Sequence, residues 1–211
     1  MKTNNSIDKI GTESRKLVFL VGYMYSGKST TARLLAECLK ERIAGGVEWI
    51  DTDQAVEERY RLTIPDCFRR YGEPMFRKLE TTVLHSLADS SQQSAAANTV
   101  TQSRGHAITV VSTGGGTPCF NDNMQWMFDH GLTIYLRLDE AGILKRMSVS
   151  RKPRPILADM SPEQRAEHIH AQLQQRQPFY SKAHLTFDAA NPDLAVIAQA
   201  IIDRFRPHDT L

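Results

Sequence analysis

Gly22, Gly27, Lys28 and Ser29 stand in the pattern G-x-x-x-x-G-K-[ST] within the stretch "GYMYSGKST", a spacing that points to phosphate chemistry. Backbone N–H groups of such a turn aim at phosphate oxygens, and a helix that follows adds the positive end of its dipole. Lys28 would bridge the β- and γ-phosphates and the Ser29 hydroxyl would bind Mg²⁺, with Tyr25, Ser26 and Thr30 completing the lining. The bland alternative is a tight turn with a surface lysine. The apolar run "LVFLV" before the motif and the helical spacing of Leu34, Leu35, Cys38 and Leu39 after it argue against that. Binding alone does not separate switch GTPases, ATP-driven machines and small-molecule kinases, which share this loop.

The acceptor must be sought elsewhere. "DTD" places Asp51 and Asp53 at the end of a β-rich run, and ligands of open α/β sheets collect at that edge. One carboxylate could hold metal-bound water while the other accepts a proton from an attacking hydroxyl. The competing role is capping of the helix that starts near Gln54. "GEPMFRKLE" sets Arg77 and Glu80 at i and i+3, close enough to pair on one helix face. The pair is either an ordinary surface bridge or a device that fixes Arg77 for bidentate contact with a substrate carboxylate. In "TGGGTP", Gly114, Gly115 and Gly116 let backbone approach a ligand and expose N–H donors.

These residues need a scaffold that brings them to one edge. "KLVFLV", "GGVEWI", "AITVVS", "LTIYLRL" and "HLTFD" read as strands. Helices are expected over 28–43, over 64–88 in two stretches broken at "YGEP", near 121–130, from about 139, over 163–182 and over 192–205. Strands alternating with helices imply an α/β fold with a central parallel sheet of about five strands and helices on both faces. One domain is expected over 17–206, with a polar tail at 1–16 and a loop in the aperiodic segment 90–105. The cationic stretch at 151–162 is too broken by prolines for a helix.

Composition narrows the partners. A net charge of +2 over 211 residues offers no basic footprint for nucleic acid. The three cysteines, Cys38, Cys67 and Cys119, are odd in number and far apart, as expected for reduced thiols in a cytoplasm. The basic residues before "LVFLVGYM" resemble a signal peptide only faintly, because Gly22 interrupts the apolar part. No apolar run approaches the ~20 residues that span a bilayer, so no membrane partner is expected.

In order along the chain, "GYMYSGKST", "DTD", "IPDCFRRYGEPMFRKLE", "VVSTGGGTP", "RPIL" and "RQPFY" resemble the shikimate kinases. The resemblance covers about residues 17–206 and implies a P-loop kinase fold. It also implies transfer of a phosphoryl group from ATP, with Mg²⁺, to the shikimate 3-hydroxyl in aromatic amino-acid biosynthesis; a monomer is expected. Carried over by position, Asp53 would contact that hydroxyl, Arg77 and Arg176 would grip the carboxylate, and Gly114, Gly115 and Gly116 would border the acid. Substrate-binding helices would span about 52–88, with Phe68 and Phe76 as the apolar wall. Arg154 of "RPIL" would close over the transferring phosphate as a catalytic lid residue beside Lys28, while Asp51 would organise the water shell of the magnesium.

Two departures stand out. Tyr25 occupies a place where the family commonly has glycine; a left-handed backbone there would cost tyrosine of order 1–3 kcal/mol. Ala190 replaces a common arginine before "NP", leaving Arg146 as a substitute candidate for adenine contact. A kinase of another small acid, such as gluconate, and a catalytically silent nucleotide-binding regulator are the alternatives.

Overall fold

The structure is a computed structural model that describes residues 15–44, 46–88, 107–150 and 160–206. Its elements run β1 (Lys16–Val21), α1 (Lys28–Lys40), β2 (Val47–Asp51), α2 (Thr52–Tyr60), α3 (Ile64–Ser86) and β3 (Ile108–Ser112). A 3-10 turn (Thr117–Cys119) leads to α4 (Asn123–His130), β4 (Leu132–Arg137), α5 (Glu140–Ser148), α6 (Pro162–Tyr180), β5 (Leu185–Asp188) and α7 (Leu194–Phe205).

The five strands form one sheet in the order β2-β3-β1-β4-β5, with every neighbour parallel. Helices cover both faces, so the central strands need apolar residues at consecutive positions. Val18 to Val21 and all of β3 are buried accordingly. The switch in strand order between β1 and its neighbours β3 and β4 opens a crevice at the carboxyl edge, where the phosphate motif follows β1 and the triple glycine follows β3.

Local chemistry sets most of the helix starts. Asp51, Thr63, Asp139, Ser161 and Asp193 each accept backbone N–H groups at an N-cap, and Ser161 and Gln164 form a reciprocal capping box. The helix expected from 121 begins at Asn123, because Asn121 and Asp122 hold φ of 51° and 54°, a left-handed region that Asn and Asp tolerate. α1 ends at Lys40 rather than 43. α3 is bent at Gly72, whose φ of 75° and ψ of 172° break the helix where "YGEP" suggested.

Two apolar cores result. The larger one gathers β1, β3, β4, α1 and α7 around residues such as Phe19, Leu35, Ile134 and Ile201. A smaller one joins α2 to α3 through Ala55, Val56, Cys67, Phe76 and Val83. Arg154, most of the lid stretch, the loop at 90–105 and nearly all of the N-terminal tail lie outside the described residues. The last two residues assigned to that tail belong to the fold: Arg15 donates to the Leu87 carbonyl, and Lys16 opens β1. Among the described residues, no helix is long and apolar enough to cross a membrane.

Candidate active site

The donor side is the turn between β1 and α1. Gly27, at φ 90°, reverses the chain into the helix with a conformation open to glycine and strained for other residues. Lys28 is 8% exposed, and its Nζ donates to the carbonyls of Gly22 and Tyr23 at 2.8 and 2.9 Å. It is therefore held in the hollow of the loop, under the N-terminus of α1. Thr30 lies exposed on the first turn of α1, and Ser26 is buried within the loop. Tyr25 has φ 65°, so the conditional strain of about 1–3 kcal/mol applies. Its side chain packs on the large core.

Beside the loop, the Ser29 hydroxyl donates to Asp51 Oδ2 at 2.6 Å and lies 3.1 Å from Ser112 Oγ. With its proton engaged by Asp51, Ser29 accepts from Ser112. Asp51 also caps α2, its Oδ1 accepting from the backbone of Asp53 and Gln54 at 3.0 and 3.5 Å. The capping role weighed for the pair thus belongs to Asp51, whose other oxygen engages Ser29, while Asp53 sits inside the first turn of α2. No three His, Cys, Asp or Glu side chains among the described residues are grouped to hold a metal alone. A few hard oxygens beside a phosphate cradle nevertheless fit Mg²⁺, which takes its remaining ligands from water and substrate phosphates. Ser112 was missed in the sequence; its place as the last residue of a strand entering the glycines was the available signal.

The acceptor side is built around the triple glycine, and each glycine makes room for something different. A Cβ on Gly114 would lie 2.6 Å from Glu80 Oε1 and 2.8 Å from Asp53 Oδ1, so these two carboxylates are side by side. One on Gly115 would lie 3.2 Å from the backbone nitrogen of Met24 in the phosphate loop. One on Gly116 would lie 2.5 Å from Arg77 Nη2. Close approach, not a left-handed turn, demands these residues. The expected free N–H at Gly114 is engaged, donating to Thr52 Oγ1 at 3.1 Å.

Arg77 is fixed from several sides. Its Nη1 donates to Glu80 Oε2 at 2.9 Å, and its Nε and Nη2 reach Glu73 Oε1 at 3.1 and 2.9 Å. The guanidinium lies 4.4 Å from the Phe120 ring centre and 5.1 Å from that of Phe76. Glu80 is 1% exposed and also accepts from Thr117 Oγ1. A buried carboxylate so placed needs its cation: losing one partner of such a pair costs about 3–5 kcal/mol. The surface-bridge alternative therefore fails for Glu80 and describes only Glu73, whose side chain is 50% exposed. Phe68 packs against Phe76 with ring centres 4.7 Å apart and planes tilted by 35°. Glu73 and Phe120 were missed, although Glu73 precedes Arg77 by one helical turn.

Arg176 approaches from α6. Its guanidinium sits 5.5 Å from the ring centre of Tyr23, and Tyr180 donates to the Gly115 carbonyl at 2.5 Å. Burial pushes the Tyr23 phenol up to about 12, against the pull of Arg176, and drives Tyr180 upward as well. Both therefore remain protonated donors. Burial pushes the Cys119 thiol up to about 11, while the charges of Arg176 and Arg77 both draw it down. Arg77 and Arg176, 99 positions apart in the chain, thus both bear electrostatically on Cys119. Arg146, considered for adenine contact, has its guanidinium on backbone carbonyls of residues 25, 26, 189 and 190.

Comparison with known proteins agrees with this geometry. The family model for shikimate kinase matches residues 24–206. The shikimate kinase of Phocaeicola vulgatus is 37% identical over 189 residues, covering 90% of this chain and 95% of its own. The crystal structure of shikimate kinase from Bacteroides thetaiotaomicron has a TM-score of 0.69 at 31% identity, covering 90% of this chain and 95% of that one. Shikimate kinase from Acinetobacter baumannii, solved in complex with shikimate, has a TM-score of 0.69 at 30% identity, over 94% and 97% of the two chains. With the match running from the phosphate loop to the last helix, this chain belongs to the shikimate kinase family, ATP-dependent enzymes of the P-loop kinase fold.

Proposed function

We propose that the chain transfers the γ-phosphoryl group of Mg-ATP to the 3-hydroxyl of shikimate, giving shikimate 3-phosphate and ADP. The observation that carries this is the triple glycine, which packs against the phosphate loop at Gly115 and against Asp53, Glu80 and Arg77 on either side. Donor and acceptor groups thereby border one cleft.

Each group has a physical task. Gly22, Tyr25, Ser26, Gly27 and Thr30 line the nucleotide, and Lys28 leaves its carbonyl partners to bridge the β- and γ-phosphates. Ser29, directly, and Asp51, through water, would hold Mg²⁺ with help from Ser112; the ion supplies charge neutralisation at the phosphates. Arg77 and Arg176 grip the shikimate carboxylate, Gly114 to Gly116 and the Phe68–Phe76 wall shape the pocket, and Asp53 faces the 3-hydroxyl. As the substrate oxygen bonds to the γ-phosphorus, the bond to the β,γ-bridging oxygen breaks and Asp53 takes the hydroxyl proton. Transfer of this kind depends on alignment and electrostatic stabilisation. Arg154, from the lid, would stabilise the charge on the transferring group. We further take the chain to work as a cytoplasmic monomer, a single domain that includes Arg15 and Lys16 and runs to about residue 206, without nucleic acid or membrane.

The test is ADP release from Mg-ATP in the presence of shikimate, gluconate or no acid. Shikimate-dependent release is expected. Release with gluconate alone would reassign the acceptor, and nucleotide binding without turnover on any acid would make the chain a silent binder.

A further inference from the structure

Tyr23, the residue after Gly22 in the phosphate loop, works in two directions. Its carbonyl accepts from Lys28 Nζ at 2.9 Å and from the Ser26 N–H at 3.2 Å, within the loop. Its side chain leaves the loop and reaches α6. The phenol is 1% exposed and donates to Gln172 Oε1 at 2.9 Å, and the guanidinium of Arg176 lies over the ring, 5.5 Å from its centre. Gln172 and Arg176 are four residues apart and so share one face of the helix. The ring therefore fixes that face at two points. Tyr180, a further turn along, adds a third by donating to the Gly115 carbonyl.

The two arginines of the acceptor side are thus held in different ways. Arg77 lies against the carboxylates of Glu73 and Glu80. Among the described residues, Arg176 forms no ion pair with a carboxylate. A ring face attracts a guanidinium through its quadrupole and offers it no acceptor oxygen. The charge and the planar N–H fork of Arg176 therefore stay available to an incoming carboxylate.

We propose that Tyr23 is a positioning residue of the acid subsite: its buried ring holds Arg176 where the substrate carboxylate binds, so a residue of the phosphate motif serves acceptor recognition. The inference rests on the reading that Arg176 grips the shikimate carboxylate. An aliphatic side chain would fill the space without attracting the cation.

The experiment measures kcat and KM for shikimate, and the Mg-ATP dissociation constant, in the wild type, Tyr23→Phe, Tyr23→Leu, Arg176→Ala and the combined Tyr23→Leu/Arg176→Ala. Tyr23→Leu should raise the shikimate KM about fivefold or more with kcat within about twofold. Tyr23→Phe, which keeps the ring, should stay within about twofold of the wild type. Mg-ATP affinity should stay within about twofold in both, as it does when the loop is intact. With Arg176 already removed, adding Tyr23→Leu should lower kcat/KM by less than about twofold, because the ring then has no cation to hold. Tyr23→Met fills the space without an aromatic face and serves if Tyr23→Leu does not fold. An unchanged shikimate KM, equal losses in Tyr23→Phe and Tyr23→Leu, the same loss with and without Arg176, or a parallel loss of Mg-ATP affinity would each overturn the proposal. A wild type that phosphorylates no shikimate, or an Arg176→Ala variant with unchanged KM, would instead defeat the proposed function or the role of Arg176 in it, and this inference with them.

Discussion

The phosphate loop and the acceptor arm meet at the triple glycine, yet they rest on different foundations. α1, which follows the loop, buries Ala32, Leu35, Ala36 and Leu39 completely in the large core. The arm formed by α2 and α3 is kinked at Gly72 and reaches the large core through Leu84 near its end, while the rest of it packs on the separate cluster of Ala55, Val56, Cys67, Phe76 and Val83. The donor half draws on the whole sheet for its rigidity. The acceptor half relies on a small apolar patch and a polar network, in which Asn121 and Asn123 both donate to Thr81, and Asn121 also to the Arg77 carbonyl. Segments with few apolar contacts open at lower free energy than core elements. The difference teaches that the two substrates report on two mechanical units, which can be perturbed one at a time.

The largest effect that would sharpen this separation lies in the chemistry. Asp53→Asn removes the proposed proton acceptor, so kcat should fall by about 10²–10⁴, while Mg-ATP binding measured by calorimetry changes by less than about threefold. Normal turnover in this variant would return Asp53 to a structural role. Next come paired truncations, one in each core. Leu35→Ala should cost about 2–5 kcal/mol of stability in denaturant unfolding and weaken ATP binding. Val83→Ala should cost about 1–2 kcal/mol and raise the shikimate KM with ATP affinity kept. Equal effects of both variants on both substrates would erase the distinction.

The smallest effect concerns acid. His184 stacks on Phe128 with ring centres 3.8 Å apart, and its Nδ1 accepts from the Thr133 backbone at 3.2 Å. Burial first, then the Arg204 charge, lowers its pKa below the ordinary 6.5. The unfolded chain therefore binds the proton more readily. The stability due to the neutral ring is complete above about pH 6.5 and drains away as the pH falls below it. Unfolding midpoints measured against pH should show this slope, and His184→Gln should flatten it. Because His184 is bonded to Thr133 of β4, a strand of the large core, the loss should appear with the donor side.

Residues that carry their chemistry in adjacent letters are legible in the sequence itself. The phosphate motif, the Asp51–Asp53 pair, the break at Gly72 and the strand–helix alternation all follow from local spacing. Tertiary choices do not. Nothing near Tyr180 says that its hydroxyl meets Gly115, and nothing near Arg146 says that it closes on four carbonyls from two other segments. The triple glycine is legible as a place of close approach, but its space is filled by Glu80, Asp53 and Arg77. Those side chains come from α2 and α3, so only the packed arm reveals it. Tyr25 is legible as an oddity, and its strain becomes definite only with a φ value.

The central claim is that acceptor recognition resides in Arg77, apart from the nucleotide cradle. Arg77→Lys tests it most directly, keeping a cation beside the buried Glu80 while removing the planar fork. Shikimate KM and the Mg-ATP dissociation constant should be measured on the same preparation. A rise of more than about tenfold in the first, with the second within about twofold, is the expected result. Parallel loss of both, or an unchanged shikimate KM, would contradict it.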